Sequence, residues 1–123
     1  MGLHESGEMY LETIHSLGKS KRNIRSIDLA KAMGYSKPSV SRAMSLLKAE
    51  GMLEIDSNGY ITLTDKGLGI AEGIYERHLV LTKAFECLGI DSSTAEEDAC
   101  KVEHVISEET FTAIKNHLHN IGK

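Results

Sequence analysis

The chain has 123 residues, a formal net charge of −4, 41% apolar residues and 26% charged ones. That length allows one domain or two small ones around a modest core and excludes a large enzyme architecture, while the negative balance argues against indiscriminate coating of nucleic acid. No apolar run approaches the roughly 20 residues of a membrane span, and the start MGLHESGEMY lacks the basic-then-apolar layout of a secretory signal. The reading is therefore a soluble, cytoplasmic protein with no membrane partner, whose two cysteines, Cys87 and Cys100, stay reduced.

In chain order, Ser6 is placed to cap a first helix from Gly7, with Tyr10, Thr13, Ile14 and Leu17 spaced to bury one side. GKSKRN breaks it. Ser26 is a second cap, with Ile27, Ala30 and Met33 as the inner face of a short helix ending at Gly34. Ser36 caps a third helix, Pro38 sits in its first turn where a missing N–H costs nothing, and Val40, Ala43, Met44 and Leu47 form its buried stripe up to Gly51. In LEIDSNGYITL, Leu53 and Ile55 alternate with polar residues. Asn58-Gly59 reads as a two-residue hairpin turn, and Ile61 and Leu63 alternate again.

Thr64 then caps a long helix reaching about Cys87 despite Gly67, Gly69 and Gly73, and two more helices are predicted over about 93–106 and 108–120. The fold class is mainly α. Residues 1–64 form an N-terminal winged helix-turn-helix with a small β-hairpin wing, and residues 65–123 form an all-helical domain. A helical hairpin on one long helix is thin for a self-contained core, so a homodimer is expected.

Charge is unevenly placed. Residues 13–52 hold eight Lys/Arg against two acids, and residues 53–123 hold six against thirteen, so the basic front suits a polyanion. At the start of the third helix, Ser36 and Ser39 are short donors suited to phosphate, Lys37 is outward, Arg42 can fork onto guanine and Pro38 can touch a thymine methyl. Arg25, with Lys19, Lys21 and Arg22 ahead of the motif, is placed to grip the flanking backbone of a double-stranded DNA operator; the wing tip DSNG is not basic. The bland reading is a solvated basic face, and winged helices also dock proteins.

DACKVEH, residues 98–104, sets a thiol, a carboxylate and an imidazole close together. On a helix turning roughly 100° per residue, Glu96, Cys100, Glu103 and His104 share one face. Such donors fit a transition metal better than Mg2+ or Ca2+, but one helix rarely completes a shell. Met9 and Glu12, one turn apart in EMYLE, and His78 in YERHL are further candidates. Singly, Met9 reads as a core residue, Cys100 as a small buried hydrophobe, His78 as a half-buried imidazole and the glutamates as solvated.

EMYLETI, SKPSVSRAM, GYITLTDKG, ERHL and EEDACKVEHVIS together resemble the diphtheria toxin repressor family of bacterial, metal-activated transcriptional repressors, across essentially the whole chain. The resemblance implies a dimerisation and metal-binding role for the helical domain and a primary metal site of Met9, Cys100, Glu103 and His104. It further implies a second site of Glu12, His78, Glu103 and Glu96. Two positions depart from the iron-sensing members: Thr82 stands where they carry a Glu, and Glu96 where they carry a His. The chain resembles a short form without the SH3-like third domain. A thioether and a thiolate favour Fe2+ over Mn2+, with Zn2+, Co2+ and Ni2+ as substitutes in vitro. The implied function is repression of metal-uptake genes by a metal-bridged homodimer, with no small-molecule substrate and no enzymatic activity. The rivals are a manganese-responsive regulator of the same family, a winged-helix regulator sensing oxidation through Cys100, and a metallohydrolase using Glu103 as base.

Overall fold

The computed structural model describes residues 5–20 and 23–121. They form two compact units, Met1–Glu72 and Gly73–Lys123. Among the described residues there are six helices and one two-stranded antiparallel sheet.

The first unit contains α1 (Glu5–Leu17), α2 (Ser26–Met33), α3 (Lys37–Ala49), β1 (Leu53–Ile55), β2 (Ile61–Leu63) and the start of α4 (Asp65–Cys87). Ser6 falls inside α1 instead of capping it; its side chain, like Lys21 and Arg22, lies outside the described residues. Tyr10, Leu11, Ile14, Leu29, Val40, Met44, Leu47 and Leu53 make one apolar core, whose burial is the main stabilising term. Of the expected α2 face, Ala30 is buried and Met33 packs against the core, but Ile27 is 39% exposed and Leu29 is fully buried. Arg25 is the cap residue, and its backbone N–H donates to the Asp28 carboxylate at 2.8 Å. Tyr10 of α1 packs edge-on against Tyr35, with ring centroids 5.8 Å apart. Burial, reinforced by Tyr35, pushes the Tyr10 hydroxyl above its ordinary pKa.

The wing corrects a second expectation. Leu53 pairs with Leu63 and Ile55 with Ile61, so the ladder closes before Asn58-Gly59 and residues 56–60 connect the strands. Asp56 organises this longer turn: its carboxylate accepts from the backbone N–H groups of Asn58 and Tyr60, both at 2.9 Å. A tight two-residue turn of the kind Asn-Gly favours needs positive φ at both positions. Here only Gly59 has it, at 83°, and no non-glycine residue among those described does. Ile61 N–H donates to the Ile24 carbonyl at 2.7 Å, which ties the wing to the segment before α2.

Thr64 caps α4 as expected, its hydroxyl accepting from Gly67 N–H at 3.2 Å and donating to the Gly51 carbonyl at 2.6 Å. Gly67 is there because the chain passes so close: a Cβ would lie 1.9 Å from the Met52 carbonyl oxygen.

The second unit holds the remainder of α4, α5 (Ser92–Val102) and α6 (Glu108–Ile121). Ile74, Leu81, Ala95, Ala99 and Phe111 are its buried apolar residues. Asp91 caps α5 by accepting from Thr94 N–H. The helix then stops at Val102, short of the expected 106. Residues 103–105 are a turn, and Ser107 then caps α6, its hydroxyl accepting from Thr110 N–H at 3.1 Å. No helix among the described residues is long and apolar enough to cross a membrane.

Candidate metal centre and nucleic-acid interface

The turn after α5 carries the centre. Glu103 is the one buried charged residue among those described, with a side chain 0% exposed. His78 Nδ1, reaching from α4, lies 3.1 Å from Glu103 Oε2, and His104 Nε2 lies 3.3 Å from Oε1. The His104 side chain is buried and that of His78 is about a quarter exposed. A buried carboxylate is costly unless polar partners surround it; His78 hydrogen-bonds one oxygen and His104 Nε2 lies near the other.

Glu103 and His104, a buried carboxylate beside an imidazole, are chemically suited to a transition metal. Two donors each about 2.1 Å from an ion lie about 3 Å apart at a right angle, close to the separations seen, and mixed imidazole and carboxylate donors suit such ions. A further polar atom has no internal partner: Thr82 Oγ1, one turn along α4 from His78, is buried and makes no hydrogen bond among the described residues.

The other predicted ligands divide. Cys100 and Glu96 lie on exposed positions of α5, so Cys100 is not a small buried hydrophobe. The single helical face expected for Glu96, Cys100, Glu103 and His104 is not formed, because the last two lie beyond the helix end. Met9 and Glu12 are both half-buried on α1, in the first unit. The structure thus brings together His78, Glu103 and His104 within the second unit.

Sequence reasoning missed Arg77, the neighbour of His78. Its Nη1 donates to the backbone carbonyls of Glu103 and Ile106, both at 3.2 Å, and its Nη2 pairs with Glu108 at 2.7 Å. The partners lie 26 to 31 positions away, a range at which no local pattern signals a contact.

On the first unit, Ser36 caps α3. Its hydroxyl accepts from Ser39 N–H at 3.3 Å and donates to Ser39 Oγ at 2.9 Å. Pro38 occupies the first turn, and Ser36, Lys37, Pro38 and Arg42 are exposed with Ser39 half-buried. The helix start therefore offers unpaired N–H groups and positive charge to an anion. Arg25 is exposed too, but its guanidinium stacks 4.8 Å over the Tyr60 ring, which fixes its direction beside the wing.

Comparison with known proteins agrees with this division of labour. Residues 2–66 match the family described as iron dependent repressor, N-terminal DNA binding domain. Residues 64–123 match its metal binding and dimerisation domain. An uncharacterized HTH-type transcriptional regulator of Methanocaldococcus jannaschii is 35% identical over 116 residues, 92% of each chain. The transcriptional regulator MntR of Escherichia coli is 31% identical over 106 residues, 86% of this chain and 68% of that one. A solved manganese-dependent transcriptional repressor in complex with manganese superposes with a TM-score of 0.82 at 26% identity, over 92% of this chain and 52% of that chain. This sequence therefore spans about half the length of that solved relative. The chain belongs to the iron-dependent repressor family, whose members are metal-dependent, DNA-binding and dimerising transcriptional repressors and not enzymes.

Proposed function

We propose that this chain is a homodimeric repressor that binds operator DNA when loaded with Fe2+, closing a feedback loop on metal-uptake genes in the cytoplasm. The observation that carries the reading is the fully buried Glu103 carboxylate with an imidazole on each oxygen. In this reading Met9, Cys100, Glu103 and His104 hold one ion, and Glu12, His78, Glu103 and Glu96 contribute to a second, as the family resemblance implies. When bound, the ion supplies positive charge and a coordination geometry that its ligands must satisfy together. The residues do the rest. Met9 and Glu12 commit α1 to one orientation, Glu103 and His104 commit the turn after α5, and the two α3 helices of a homodimer are held about one DNA turn apart. DNA affinity rises only by the difference in metal affinity between arrangements. Leu79, Leu88, Val105 and Ile121, each more than half exposed in the second unit, are surface that supports pairing with another copy. On α3, Lys37 and Arg42 grip and read the duplex, with Ser36, Pro38, Ser39 and Arg25 beside them.

Manganese is the second reading. The second site, of His78 and glutamates, contains no sulfur, so the preference for a softer ion rests on Met9 and Cys100 in the first. Anaerobic titration with Fe2+, Mn2+ and Zn2+, followed by anisotropy on duplex DNA from upstream of the protein's own gene, decides between them. Fe2+ activating at the lowest free concentration supports the first reading, and Mn2+ doing so supports the second. Glu103→Gln preserves shape but removes a charged ligand, so metal-stimulated binding is expected to disappear while the circular dichroism spectrum is retained. Undiminished metal stimulation in Glu103→Gln overturns the metal role. A response that survives chelator and vanishes in Cys100→Ser would replace it with a thiol switch.

A further inference from the structure

The α5–α6 connection is held from both ends of one residue. His78 meets the Glu103 carboxylate at 3.1 Å, and Arg77 meets the Glu103 carbonyl at 3.2 Å. Consecutive residues on a helix project roughly 100° apart, so adjacent positions of α4 take the side chain and the backbone of the same ligand. The carbonyls at a helix C-terminus lack intrahelical partners. Arg77 satisfies the carbonyls of Glu103 and Ile106 with one nitrogen and pairs with Glu108 through the other. Its guanidinium also lies 5.5 Å over the Phe111 ring, and its side chain is 22% exposed. The planar five-donor fork makes these contacts in a single orientation; a lysine ammonium lacks that second nitrogen.

We propose that Arg77 is a positioning residue for the metal centre: by clamping the Glu103–Ile106 turn at its carbonyls, it sets the direction in which Glu103 and His104 present their donor atoms. The proposal rests on the metal reading above. It also makes a prediction of sign. Removing a positive charge beside a cation site strengthens cation binding by electrostatics alone. Loss of a clamp weakens it, by about 10–100-fold where an outer group orients a ligand.

The test compares wild type, Arg77→Met and Arg77→Lys. Mn2+ affinity is measured by titration calorimetry, the visible absorption of the Co2+-loaded protein reports ligand geometry, and amide exchange is followed on the metal-free protein. Arg77→Met is expected to bind Mn2+ about 10–100-fold more weakly and to give an altered Co2+ spectrum at saturation. Exchange should accelerate at the Val105 and Ile106 amides, which donate to the Val102 carbonyl at 3.0 and 2.9 Å, with Leu81 unaffected. Arg77→Lys keeps the charge and provides the folded variant should methionine not be tolerated; its Mn2+ affinity is expected to fall between the two. Equal or tighter Mn2+ binding in both variants, with the wild-type Co2+ spectrum, overturns the proposal. If wild type binds neither Mn2+ nor Co2+, the metal reading fails by itself, and unaltered exchange at residues 105 and 106 would then dismiss the clamp as well.

Discussion

Gly67→Ala and Gly69→Ala make the same chemical change two residues apart on α4, and the structure gives them opposite signs. A Cβ on Gly67 would sit 1.9 Å from the Met52 carbonyl oxygen and 2.9 Å from its carbon, whereas around Gly69 nothing lies within 4 Å. The crowded carbonyl cannot simply step aside. It accepts from Thr64 N–H at 3.1 Å, and the Thr64 hydroxyl holds the adjacent Gly51 carbonyl at 2.6 Å. Restoring ordinary contact requires a shift of about 1 Å or more. Such a shift sacrifices two hydrogen bonds at about 1 kcal/mol each and adds about 1–3 kcal/mol of overpacking. Alanine's helix propensity returns about 1 kcal/mol. The expected balance at Gly67 is a loss of about 2–4 kcal/mol; at Gly69 it is a gain of about 0.5–1 kcal/mol. Urea unfolding followed by far-UV circular dichroism reads both as shifts in midpoint at constant slope. A Gly67→Ala midpoint equal to or above wild type, or a Gly69→Ala protein less stable than Gly67→Ala, would refute the close-approach argument.

Two further outcomes follow from particular side chains. Arg42→Ala should weaken duplex binding by about 1–3 kcal/mol and relax preference at one base pair if the guanidinium forks onto guanine, or lower the salt slope by about 1 if it meets phosphate; unchanged anisotropy titrations would remove Arg42 from the interface. The Tyr10 hydroxyl is held above its ordinary pKa of 10.0 by burial and then by Tyr35. The folded state therefore keeps a proton that the unfolded state releases. The stability this represents is fully present below pH 10.0 and is lost as pH rises through the folded value. Urea midpoints at alkaline pH should fall less in Tyr10→Phe than in wild type, and parallel curves would contradict this linkage.

The helix-turn-helix was legible because its signals are local. Ser36, Pro38 and the Val40, Met44 and Leu47 stripe lie within one helix, and the structure keeps all of them. The errors arose where side chains capture backbone groups. Asn58-Gly59 resembles a tight turn, but Asp56 captures two N–H groups and lengthens it. The fifth helix reads as continuing to 106, but it ends at Val102, and Arg77 takes up the carbonyls of Glu103 and Ile106 from 26 and 29 positions away. At the centre, the residue types of His78, Glu103 and His104 pointed to coordination chemistry. That His78 would meet the Glu103 carboxylate across 25 positions is a property of helix packing, which spacing along the chain does not encode.

The Tyr10–Tyr35 contact makes the first helix a lever with a short arm. Tyr10 lies between Met9 and Glu12, and Tyr35 immediately precedes the residue that caps α3. With side chains about 5–6 Å from the axis, turning α1 by about 10° sweeps its surface by about 1 Å, more than close-packed rings accept without displacement. Whatever grips the methionine and glutamate on either side of that ring is therefore felt one residue ahead of the helix that meets the duplex.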